Sequence, residues 1–277
     1  MEILSFLVLP FLTGLVLTGI HAYLGVHVVE RGVIFVDLSL AQIAALGTTV
    51  AFLVGYDLHS GVSYFWSLGF TIVGAAIFAL TRVHRETRIP QEAIIGIVYA
   101  VSAAAAILVM SKAPQETEHL KDMLVGNILA VNWYTVIKTA ILYALVGLFH
   151  FIFRRKFLTI SLNAHNGVSD IPNVKFWDFL FYTSFGFVVT SSVAIAGVLL
   201  VFSYLIVPSV AAMLFSKSIG KRLAIGWTMG ALVSAIGILL SFRLDLPTGA
   251  TIVCTFGIAL LLLAAVRAVM WRRAATA

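Results

Sequence analysis

The chain has 277 residues, of which 61% are hydrophobic and only 11% charged; its mean hydropathy is +1.06 and its formal net charge +6. A water-soluble domain keeps about a quarter of its residues charged, so this composition excludes a soluble globule. The cations sit in short loops between apolar blocks, which fits membrane orientation and argues against nucleic acid as a partner.

The apolar blocks run to about 20 residues, enough to cross ~30 Å of hydrocarbon as helices. They do not alternate as the short strands of a membrane barrel would, so an all-α polytopic membrane protein is predicted. About nine spans are expected, roughly at 3–28, 34–54, 62–81, 90–110, 133–153, 178–194, 198–215, 223–241 and 249–270. They make 1–277 one transmembrane domain, with an inner loop at about 154–177. The first block lacks a basic leader and reads as a span that stays, not as a cleaved signal. The single Cys254 excludes an intrachain disulfide and reads as a small apolar residue of a late helix.

The first two spans hold the densest set of ionisable groups: His21, His27, Glu30, Arg31 and Asp37, with Gln42 beyond them. Such groups at depth are functional candidates, and imidazole with carboxylate suits Zn²⁺, Mn²⁺ or Fe²⁺. At 100° per residue His21 lies about 240° around the helix from His27, and Asp37 about 140° from Gln42. Any site must therefore be assembled between helices. Asp37 has two readings, a cap of the second helix or a group on a transport path.

Pro90-Gln91-Glu92 opens the fourth span with a proline and an acid that compensates the helix dipole. In the loop 111–132, the segment Pro114 to Leu124 predicts a short amphipathic helix. The nearly unbroken apolar stretch 178–215 is too long for one crossing, and Ser191 to Gly197 is the expected tight outer turn because Gly197 tolerates positive φ. Pro208 should interrupt the span that follows. Small residues such as Gly69/Gly74 and Gly226/Gly230 imply close helix packing. Asp245, before the ninth span, either caps that helix or meets a cation at the pore mouth, while Asp57 and His59 read as solvated loop residues. In the inner loop a short helix ended by Gly167 is expected, as a plain loop or as a docking element for a cytoplasmic subunit.

With nine spans and a cytoplasmic C-terminus, the N-terminus lies outside. Fourteen of the 18 Lys and Arg then face the cytoplasm and four face outward. No P-loop and no His-Glu-x-x-His motif occurs.

Five segments carry a family resemblance: Gly32 to Gly47 (GVIFVDLSLAQIAALG), Glu92 to Tyr99 (EAIIGIVY), Leu124 to Val131 (LVGNILAV), Gly197 to Ser216 (GVLLVFSYLIVPSVAAMLFS) and Asp245 to Val253 (DLPTGATIV). In order and spacing the chain resembles the permeases of metal-type ABC importers, the zinc, manganese and iron group. The resemblance implies the type II importer fold and residence in the inner (plasma) membrane. It implies a second copy of the chain as dimer partner, a cytoplasmic ABC ATPase and an extracytoplasmic metal-binding protein. A divalent metal would be cargo, with no resident or covalent cofactor. Ala164 and Gly167 fall in what resembles the family's coupling helix. Aligned on Gly47, the family's Asp and His of the second span are replaced by Leu38 and Gln42. Asp37, Gln42, His21, His27 and Asp245 are the candidate path residues. The departure leaves open a metal chelate or small organic nutrient as cargo. An ion-coupled secondary transporter is the other alternative, but it would need paired broken helices, and a single Pro-interrupted span is evident.

Overall fold

The computed structural model describes residues 2–57, 60–82, 89–112, 126, 128–164 and 171–276, with backbone only at 2–6 and 272–276. The long apolar blocks are helices because in hydrocarbon a helix alone can satisfy every backbone group within one segment. They are α1 (Glu2–Arg31), α2 (Val36–Leu53), α3 (Gly61–Leu80), α4 (Gln91–Met110) and α5 (Trp133–Ile152), then α6 (Arg154–Leu162), α7 (Val174–Phe215), α8 (Ile219–Leu244) and α9 (Thr248–Thr276). A 3₁₀ turn, Ile128–Ala130, precedes α5. Among the described residues eight helices are long and apolar enough to cross a membrane, α6 being the short exception. Of the sequence expectations, His59, Gly167 and the segment 114–124 lie outside the described residues.

Local signals set the helix ends. Ser60 caps α3 by accepting the Ser63 N–H at 3.2 Å, and the Asn132 side chain accepts the Thr135 N–H at 2.9 Å at the start of α5. Gly32, at φ 67, follows the last residue of α1, a left-handed exit that a Cβ would resist. α7 is 42 residues long, about 63 Å at 1.5 Å per residue, or twice a hydrocarbon core. Its one non-helical residue is Gly197, at φ 74 and ψ 160; Ser191 to Ala196, expected in the turn, are helical, so the turn is a single-residue break and not a loop. Pro208 lies inside the second half of α7 without leaving helical geometry.

The chain forms two compact units. Unit 1 comprises Met1–Val29, Val125–Ile141 and Ile195–Ala277. There α1 meets the second half of α7 and α8 through small residues: a Cβ on Gly25 would collide with the Leu205 carbonyl, and one on Gly230 with Thr18. Trp227 Nε1 donates to the Gly19 carbonyl at 3.0 Å, and Tyr204 shares a 2.7 Å hydrogen bond with Ser234. Gly126, at φ 64, lies directly on the backbone of Ala196 and Gly197, so two of the resembling segments meet at the break in α7.

Unit 2 comprises Glu30–Leu124 and Leu142–Ala194, and in it α2 packs on α3 and α4. Gly47 lets α2 approach α3 so closely that a Cβ would lie 2.8 Å from Ser67 Cα and 2.9 Å from the Trp66 carbonyl. Ser67 Oγ donates to the Ala44 carbonyl at 2.9 Å across the same contact. Gly69, of the same residue type, faces open space. Gly47→Leu should therefore destabilise the detergent-solubilised protein by about 1–3 kcal/mol through overpacking. Gly69→Leu should leave unfolding within about 1 kcal/mol of wild type. Thermal unfolding of the two variants side by side checks the assignment.

Candidate functional site

Asp37 occupies the first turn of α2 and is 1% exposed. Neither of its carboxylate oxygens has a hydrogen-bond partner among the described residues. Capping does not explain it: the N-cap residue is Phe35, and no side-chain cap bond is made. The carboxylate that serves the start of α2 belongs to Glu92 of α4, whose Oε1 accepts the Phe35 N–H at 2.9 Å. Glu92 thus bridges two of the resembling segments, a role beyond the dipole compensation expected of it. An ionised carboxylate is acceptor-only, and burial without donors is costly. The amino end of α2 offsets part of that cost, because its aligned peptide dipoles favour negative charge. What remains is a buried acceptor in unit 2 without a hydrogen-bond partner among the described residues.

Elsewhere in unit 2 hydroxyls pair with one another. The Tyr143 hydroxyl of α5 is buried and lies 3.4 Å from the Val188 carbonyl. It accepts from Ser191 Oγ at 3.2 Å, and the Thr71 and Thr190 hydroxyls lie 3.3 Å from each other. Gln42 is half-buried on α2, while the position one turn beyond Asp37 is the fully buried Ala41. A carboxylate is a hard donor of the kind that suits Mn²⁺ or a partly hydrated ion.

The other candidates fall elsewhere. His21 and His27 lie on α1 in unit 1, 0% and 1% exposed. His21 Nδ1 donates to the Leu17 carbonyl at 2.8 Å, so in the neutral ring Nε2 is the acceptor nitrogen. His27 packs edge-on against Tyr23, with ring centroids 4.8 Å apart. Asp245 is exposed and left-handed, at φ 51; its backbone N–H bonds the Ser241 carbonyl and closes α8. At the start of α9 the buried Thr248 is instead engaged by Ser241, at 2.6 Å. Ala164 follows α6 and is half-buried. Among the described residues no three His, Cys, Asp or Glu side chains form a metal cage.

Sequence reasoning passed over two buried groups in unit 2. His150 of α5 shares a 2.8 Å hydrogen bond with Ser184 Oγ and stacks on Phe157, centroids 4.5 Å apart. Asp178, 1% exposed, is paired with both Arg31 and Arg82. Its signal was available, since it is an acid flanked by Trp177 and Phe179 at the edge of an apolar block.

Helices of this length and apolarity, with polar groups buried inside them, define an all-α multi-pass membrane permease. The chain belongs to the ABC 3 transport family, whose model it matches over residues 4–267, and that family is one of transport permeases rather than ATPases. It is 27% identical over 253 residues to the manganese transport system membrane protein MntC of Listeria monocytogenes, covering 90% of this chain and 86% of that one. It is 28% identical over 244 residues to a probable iron transport system membrane protein of Haemophilus influenzae, covering 87% and 86%. Its fold is that of PsaBC from Streptococcus pneumoniae, solved in complex with a Fab, with TM-score 0.73, 24% identity and coverage of 93% and 90%. The architecture is that of type II ABC importer permeases.

Replacing Asp37 by Asn removes a buried charge that lacks a partner. The free permease should then unfold at the same temperature as wild type or higher, whereas a structural salt bridge would be lost at a cost of about 3–5 kcal/mol. Calorimetry of the purified variant checks this.

Proposed function

We propose that this chain is the inner-membrane permease of an ATP-binding-cassette importer for a divalent transition metal. It works as a homodimer on separate cytoplasmic ATPase subunits and receives cargo from an extracytoplasmic metal-binding protein. What carries the reading is Asp37, buried with both oxygens unpartnered, in a chain whose relatives are named for manganese and iron transport. The N-terminus lies outside and the C-terminus in the cytoplasm, supported by the fourteen-to-four distribution of Lys and Arg.

Asp37 is the principal path residue, with Gln42, His21, His27 and Asp245 as further candidates. The loop 154–177, with Ala164 and Gly167, receives the ATPase. Alternating access moves the ion without chemistry on it, and the carboxylate replaces part of its water shell while it is inside. Import of a metal chelate or a small organic nutrient is the second reading, favoured by Leu38 and Gln42, which offer a bare cation less than an acid and an imidazole would.

In vesicles containing the permease, its ATPase and its binding protein, ATP should drive accumulation of Mn²⁺, Fe²⁺ or Zn²⁺. Asp37→Ala should lower uptake by about tenfold or more, at least the scale on which groups that merely orient metal ligands act. Asp57→Ala should leave it near wild type. If none of the three ions accumulates, the metal-ion reading fails, and ATP-dependent uptake of an iron chelate would establish the second. Equal, wild-type rates in the two Asp variants would remove Asp37 from the path.

A further inference from the structure

Four segments of unit 2 converge on one carboxylate. Arg31, the last residue of α1, places Nη1 2.7 Å from Asp178 Oδ1. Arg82, just beyond α3, is ion-paired with the other oxygen. Ser161 of α6 accepts the Arg31 Nε–H at 2.9 Å, and Asp178 itself lies near the start of α7. The Arg31 guanidinium also lies 3.9 Å above the Phe181 ring. The side chains of Arg31 and Asp178 are 4% and 1% exposed, and that of Arg82 is 20%.

The shape of α6 gives this cluster a direction. Phe157, Ile160 and Ser161 are buried in unit 2, Arg154 and Lys156 lie over the Phe151 and Trp177 rings, and Arg155 and Leu162 are exposed. The helix therefore has one face held and one face free for a partner. The held face ends at Ser161, and Ser161 is hydrogen-bonded to the most buried guanidinium of the cluster.

We propose that Asp178 is the joint through which movement of the loop 154–177 reaches the ends of α1 and α3, with Arg31 and Ser161 as its positioning residues. The inference rests on the reading of that loop as the ATPase contact. Its physical basis is the cost of breaking a buried ion pair, which leaves an uncompensated charge behind. Displacement of α6 therefore carries Ser161, Arg31 and Asp178 together, and the cluster behaves as one rigid piece. Charge arithmetic singles out the contact that yields. Two guanidiniums share one carboxylate, and the Arg31 guanidinium is enclosed by Asp178, Ser161 and the Phe181 and Tyr182 rings. Arg31 cannot leave Asp178 without stranding a buried cation, whereas the partly solvated Arg82 can be released into water at little cost. Arg31–Asp178–Ser161 is thus the fixed limb and Arg82 the releasable one.

The test uses the full transporter in vesicles, with ions moved per ATP hydrolysed as the readout, for whichever of Mn²⁺, Fe²⁺ or Zn²⁺ the wild type accumulates. Ser161→Ala deletes one hydroxyl and leaves the ion pair intact. It should lower that ratio roughly threefold or more, the scale on which residues of a coupling network act, with the ATPase still bound. Ser161→Thr should restore it, which a general loss of stability would not allow. Asp178→Asn should uncouple more strongly, and Arg82→Gln less. If Asp178→Asn does not insert, Ser161→Ala and Arg82→Gln decide the matter. A wild-type ratio in both, in intact complexes, overturns the joint. Gly167→Pro separates the two claims. If it couples normally, the loop reading falls and the joint with it. If it uncouples while Ser161→Ala does not, the joint alone is rejected.

Discussion

A charge carried out of water has to be answered by another charge or by donors, and in a membrane bundle the solvent offers no help. Unit 2 meets this constraint in two opposite ways. Asp178 is over-answered, with two guanidiniums on its two oxygens and an aromatic ring beneath one of them. Asp37, as deeply buried, has no hydrogen bond to either oxygen. The first arrangement belongs to a group that must not move relative to its neighbours. The second leaves the charge without an answer from the described side chains, and on that observation the proposed path role of Asp37 rests.

Close approach of backbones is the other recurring device. Without a hydrophobic force between helices in lipid, packing depends on small residues that bring main chains together. Gly47 does so for α2 and α3, Gly25 and Gly230 for α1 in unit 1, and Gly126 seats a loop on the break at Gly197. Serine and threonine hydroxyls then return hydrogen bonds to carbonyls across these contacts, as Ser67 does to Ala44. Each such bond adds only about 1 kcal/mol, but it fixes which helix faces meet.

Much of the fold was legible in the residue order. Seven of the nine expected spans each match one helix and the other two share the 42-residue α7, since about 20 consecutive apolar residues admit few other structures in a bilayer. Gly197 was the expected interruption of the longest helix, and a positive φ is found there. The glycine pairs were less informative. Gly74 faces Ile43, and Gly226 and Gly230 face α1, but Gly69 faces open space; a residue type does not state which way a helix is turned.

The all-α multi-pass class, the transport family and the candidate importance of Asp37 followed from sequence, because hydropathy, motif order and an acid beside an apolar block are properties of neighbouring residues. Which acid caps and which is left bare was settled only in three dimensions. Glu92 and Phe35 are 57 positions apart, and Arg31 and Asp178 are 147 apart. Hydrogen bonds and ion pairs act over about 3 Å whatever the separation along the chain, so no local pattern could show that Asp37 would keep its oxygens free while Asp178 gave up both.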